Sequence, residues 1–176
     1  VGSEMCIRDR VASGRYEYAM TNYGFSQGDI GKAMVTFSET RSALRAVVGY
    51  DEEDMIEAQV SLHDQKKEAF ETYLKDIEST MVFPQAKEAY NTLVTDLDGY
   101  WDIDAEVLEL ATSSSDDGYL KAQEIDTGEL SPQYDKIYQD LATLMDLNVQ
   151  KGDASKASLH NMELIFMIVI LSLIHI

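Results

Sequence analysis

One cysteine, two prolines and three histidines in 176 residues exclude several kinds of protein at the outset. A lone cysteine, Cys6, cannot staple a disulfide scaffold. Pro84 and Pro132 are too few for the many short turns of a sandwich or barrel. Basic residues are also scarce. Fourteen Lys and Arg against 32 Asp and Glu give a formal net charge of −18, which repels phosphate backbones and excludes nucleic acid as a partner. What is present is 45% apolar and 26% charged. A single domain of this size hides roughly 70% of the surface its unfolded chain exposes, so one core suffices without metals or staples. Long helices are the default expectation.

The two ends carry a signature of another kind. Leu171-Ser172-Leu173-Ile174-His175-Ile176 can be encoded by CTG TCT CTT ATA CAC ATC. The reverse complement contains ATG TGT ATA AGA GAC AG, which reads Met5-Cys6-Ile7-Arg8-Asp9-Arg10. One inverted repeat thus encodes both ends, and it resembles the transposase-recognition sequence used to tag fragments in shotgun sequencing. Residues 1–10 and 171–176 are therefore read as adapter, which removes Cys6 and His175 from any chemical argument. The native segment is then Val11 to Ile170, with the gene expected to continue on both sides.

Within it, apolar residues recur in alternating steps of four and three. Tyr23, Gln27, Ile30, Met34, Phe37, Arg41, Leu44 and Val48 form the first seam, which ends at Gly49, a residue suited to a left-handed terminus. Asp51 to Asp54 is an acidic run that favours a new helix start. Ile56, Val60, His63, Lys67, Phe70, Leu74 and Ile77 form the second seam, stopped by Pro84, which opens the third. That one carries Ala86, Tyr90, Leu93, Leu97, Tyr100, Asp104, Val107 and Ala111, and runs out in the serine-rich loop before Gly118. Tyr134, Ile137, Leu141, Leu144 and Asn148 mark a fourth, with Pro132 and Gly152 as candidate bend points. The short links predict an all-α, antiparallel up-down-up-down four-helix bundle. Residues 11–160 form the bundle. The apolar run Leu164–Ile170 reads as the opening of a transmembrane helix continuous with helix four, so residues 161–170 are assigned to it.

Enzymatic chemistry finds no support in these residues. A di-iron bundle wants Glu-x-x-His pairs, whereas His63 and His160 are preceded at minus three by Val60 and Ala157, so no metal or other cofactor is expected. His63 reads as a half-buried seam residue. Gly24, Gly28, Gly31 and Lys32 do not have Walker spacing, and Gly24-x-x-x-Gly28 reads as a close helix contact. The unusual feature is Arg41, on an apolar seam with Arg45 one turn on. Either Arg41 snorkels or pairs with an acidic side chain of a neighbouring helix, or the two guanidinium groups hold a small anion. Helices one and four run in opposite directions in the expected topology, which puts Gln123 to Thr127 opposite Arg41.

Asn22-Tyr23-Gly24-Phe25-Ser26-Gln27-Gly28-Asp29-Ile30-Gly31-Lys32-Ala33, the Arg41 to Tyr50 stretch, Asp98-Gly99-Tyr100-Trp101 and Leu144-Met145-Asp146-Leu147-Asn148-Val149 resemble the sensor domain of bacterial methyl-accepting chemotaxis receptors, over roughly Ser13 to Ile170. The resemblance implies an extracytoplasmic ligand-binding bundle in the cell membrane, a homodimer, and a cytoplasmic region, not in this chain, that controls a histidine kinase and its adaptor. It also implies a small-molecule attractant or repellent, such as a small anion or amino acid, held between arginines on helix one and polar groups at the start of helix four. Arg41, Arg45, Gln123 and Thr127 are the corresponding candidates, with Tyr119 near them. A histidine-kinase or cyclase sensor, or a surface-anchored helical interaction protein, would use the same bundle.

Overall fold

The computed structural model describes the backbone of residues 2–113 and 115–174, and the side chains of residues 10–172 apart from 114 and 170. Val1, Ser114, His175 and Ile176 lie outside the described residues, as do the side chains of most of the two expected adapter segments. Helices α1 (Gly2–Ala19) and α2 (Ser26–Gly49) are joined by a π-helical segment, Met20–Phe25. The joining residues Ala19 and Phe25 keep helical backbone angles, so the three pieces form one rod. Helices α3 (Glu53–Ser79) and α4 (Pro84–Ala111) are the second and third rods. The fourth is built from α5 (Asp116–Ile125), a π-helical segment Asp126–Leu130, and α6 (Ser131–Ile174). The four rods make a four-helix bundle, with no strand among the described residues.

The helix ends follow from local chemistry, with one departure. Pro84 lies in the first turn of α4, where its missing N–H costs nothing. Ser115 caps α5 by accepting from the Gly118 N–H at 3.0 Å. A Cβ on Gly118 would push the Ser113 hydroxyl aside and press on the Leu110 carbonyl at 3.1 Å, so the turn is tight around this glycine. Gly49, expected to close α2 in a left-handed conformation, instead remains helical, and no described glycine has positive φ. The chain leaves through Tyr50 in an extended conformation (φ −98°, ψ 147°), with the Tyr50 N–H still bonded to the Ala46 carbonyl at 3.0 Å.

Packing follows the seams closely on α4, whose buried residues are the eight of the third seam. On α2 the buried stripe is wider, adding Ser26, Ala33, Thr36, Thr40, Ala43 and Val47, because this helix meets α3 along much of its length while also facing α4 and α6. Phe37 is the centre of the core. Its ring stacks on Tyr134 (centroids 5.1 Å apart, interplanar angle 9°) and meets Phe70 at 5.2 Å and Tyr100 at 4.9 Å. At one end of the bundle Ser26 Oγ accepts from Thr80 Oγ1 at 2.8 Å and from Asn148 Nδ2 at 3.3 Å, tying α2, the end of α3 and α6 together.

Gly24 and Gly28 do not form the expected close helix contact. Both are exposed, and a Cβ on Gly28 would meet nothing within 4 Å. The buried stripe passes them by, through Tyr23, Ser26 and Ile30. Among the described residues no helix is long and apolar enough to cross a membrane, so the transmembrane helix expected from Leu164–Ile170 is not found. The physical reason is length, since a span takes about 20 apolar residues. From Leu164 to Val169 the side chains other than Phe166 are exposed, and that of Ile170 lies outside the described residues.

Candidate functional site

Of the polar residues on the apolar seams, Arg41, His63, Asp104 and Asn148 end up buried while Gln27 and Lys67 stay part-exposed, and two ion pairs account for most of the buried ones. Arg41 is 5% exposed and Asp126 4%. Arg41 Nη1 donates to Asp126 Oδ1, and Nη2 donates to the Asp126 carbonyl at 3.1 Å and to Ser131 Oγ at 3.0 Å. One guanidinium thus grips three acceptors across the π-helical segment. That segment arises where Pro132 follows. A proline ring in a regular α-helix collides with the carbonyl four residues back and leaves that acceptor without a donor. Here the turn before the proline is widened to π geometry, with the Ser131 N–H donating to the Asp126 carbonyl five residues back. The α-helix is thus interrupted just before Pro132, as the place of this proline suggests, while the backbone stays helical through the π turn and through Gly152.

Arg45, one turn above Arg41, is mostly exposed, with Nε 3.8 Å from Asp126 Oδ2. Gln123 and Thr127 flank Asp126 on the same rod. Gln123 Nε2 donates to the Tyr119 hydroxyl at 2.8 Å, and Thr127 Oγ1 donates to the Gln123 carbonyl at 2.8 Å. Arg45, Gln123, Glu124, Asp126 and Thr127 line an open cleft of about 480 Å³ between the end of α2 and α5. Three of the four residues singled out in the sequence thus share one cleft, and Arg41 lies behind it, its charge already matched by Asp126. Asp126 was not named among the candidates, although it lies within the Gln123 to Thr127 stretch expected opposite Arg41 and is the acidic partner on a neighbouring helix that one reading of Arg41 called for.

The second buried pair lies between α3 and α4. His63, expected to be half-buried, is 2% exposed. Its Nε2 is 3.0 Å from Asp104 Oδ2 and its Nδ1 3.1 Å from Asp64 Oδ1. The carboxylate of Asp104 draws the imidazole fully inside, where a lone histidine would stay at the edge. Burial alone would lower the His63 pKa, but the hydrogen bonds and charges of Asp104 and Asp64 outweigh it and raise it above its ordinary value. Beside the pair, Tyr100 OH and Asp104 Oδ1 are buried with no hydrogen-bond partner among the described residues. Burial, then the charge of Asp104, drives the Tyr100 phenol pKa well up, which keeps it neutral. Among the described residues no three His, Cys, Asp or Glu side chains converge as a metal site would need.

Residues 27–162 match a family model described as a four helix bundle sensory module for signal transduction. No curated protein and no solved structure matches the chain.

Proposed function

Because the chain belongs to the four-helix-bundle sensory modules of methyl-accepting chemotaxis proteins, we propose that it is the extracytoplasmic ligand-sensing domain of a transmembrane chemoreceptor, with residues 11–160 as the sensor. The rods run up, down, up and down, and two copies pair as a homodimer. The apolar end of α6 leads into the membrane, and the signal passes to a cytoplasmic region that controls a histidine kinase. The ligand is a small molecule in the cleft between α2 and α5, touched by Arg45, Gln123 and Thr127. Arg41 acts from behind, by holding Asp126.

The observation that carries this reading is that the cleft opens on the π-helical segment Asp126–Leu130, the only irregular stretch between α5 and the 44 residues of α6. A π turn carries about one residue more than the α turn it replaces, and each α-helical residue rises about 1.5 Å. A ligand that favours one of the two forms shifts α6 along its axis by roughly that distance, the usual scale of such signals. It does so only through a difference in affinity for the two forms.

Calorimetry with a panel of amino acids and small organic anions tests the assignment. One of them is expected to bind, and Arg45→Ala to weaken it at least tenfold while the fold is kept, because Arg45 is exposed. If nothing in the panel binds, or if Arg45→Ala and Thr127→Val both leave a measured affinity unchanged, the cleft is not the site.

A further inference from the structure

The other π-helical segment, Met20–Phe25, also lies against a cavity, at the opposite end of the bundle from Arg45. This cavity measures about 460 Å³ and lies between the α1–π–α2 rod and α6. Its volume falls in the range of small-molecule sites, which are mostly apolar with a few polar groups for orientation. Met20, Tyr23 and Leu159 give it apolar walls, and Gly24 and Gly152 leave room where side chains would stand. A Cβ at Gly152 would come within 3.8 Å of the Tyr23 side chain, and one at Gly24 within 3.4 Å of Met20. The widened backbone of Met20–Phe25 and the two glycines thus shape the same space.

The polar groups at its rim indicate the charge of the occupant. Glu163 has a partner in His160, whose Nδ1 is 4.0 Å away. Lys156, like Lys75 and Lys87, forms no ion pair among the described residues, in a chain whose net charge is −18, and of these three it alone lines this cavity. An unpaired ammonium beside an apolar wall suits a molecule with a single negative charge and an apolar body. We propose that this cavity is a second ligand site, independent of the Arg45 cleft, and that it takes a small monocarboxylate with an apolar body. The carboxylate lies on Lys156 Nζ and the body against Met20, Tyr23 and Leu159. Occupancy wedges the first rod against α6 close to the apolar end of the latter, so the site bears on the same helix as the distal cleft.

The test is a titration of the ¹⁵N-labelled full chain with octanoate below its micelle concentration, with octanol as the uncharged control. Saturable shifts are expected at the Gly24 and Gly152 amides. Lys156→Gln, at an exposed position that leaves the fold intact, is expected to weaken binding about tenfold, the usual cost of losing one charge-assisted hydrogen bond. Lys156→Arg should restore it, and Arg45→Ala should leave it unchanged. The proposal is overturned if octanol binds equally well, if Lys156→Gln binds as the parent does, or if the shifts are confined to residues 164–169. Loss of binding in Arg45→Ala also overturns it, by placing octanoate in the distal cleft, and in that case the proposed function stands.

Discussion

Removing Arg41 leaves Asp126 buried with only the exposed Arg45, 3.8 Å away, as counter-charge. Arg41→Ala or Asp126→Ala is expected to cost about 3–5 kcal/mol, the usual penalty for breaking a buried pair from one side. Urea unfolding of the two single variants and the double variant checks this, and the double variant should lose much less than the sum of the singles. The exposed contact of Arg45 with the same carboxylate should be worth under about 1 kcal/mol. His63 makes a pH-dependent contribution. Its folded pKa is raised, so the stability it adds is full below the unfolded value near 6.5 and is lost as pH rises through the folded value. Thermal melts between pH 5 and 9 should therefore show the parent losing more stability across this window than His63→Gln. A flat difference between the two would show that the imidazole does not change charge there.

At the level of elements, helix ends and exposed faces give cleaner tests than the core. Ser115→Ala removes the cap of α5 and is expected to cost about 1 kcal/mol. Gly28, exposed on α2 with open space where a Cβ would go, should gain about 0.5–1 kcal/mol as alanine. Chemical denaturation with an unchanged m-value reads both. A loss of stability in Gly28→Ala would mean that the face is covered in solution. The two π-helical segments belong to this scale as well. The one before Pro132 has a local cause in the proline ring, whereas the one at Met20–Phe25 contains no proline and coincides with the packing of Tyr23 against Phe83, whose ring centroids are 6.2 Å apart.

Across the whole molecule the net charge of −18 sets a repulsion that salt screens. Raising NaCl from about 10 to about 150 mM shortens the screening length from roughly 30 to 8 Å, and the melting temperature is expected to rise with it. A fall would mean that the attractive pairs, such as Lys66 with Glu39 at 2.8 Å, outweigh the general repulsion. The apolar end of α6 is the other global feature, with Leu164, Ile165, Met167, Ile168 and Val169 all exposed.

Much of the bundle was legible in the sequence because helix formation and burial here obey one periodicity. The third seam lists the buried face of α4 residue by residue, and Pro84 and Ser115 mark ends by their own backbone chemistry. Arg41 stood out as an exception to that pattern, and His63, Asp104 and Asn148 lay on the seams beside Gln27 and Lys67, which stay part-exposed. Which partner each would find was not. A periodic pattern states which way a side chain faces but not what faces it. The expected topology brought the stretch Gln123 to Thr127 opposite Arg41, but Asp126 as its partner there, and Asp104 opposite His63, emerged only when the helices were brought together. The same holds for the two cavities and the π-helical turns beside them. They depend on small axial offsets between neighbouring rods, which are set by the summed packing of many side chains and are written in no single stretch of the chain.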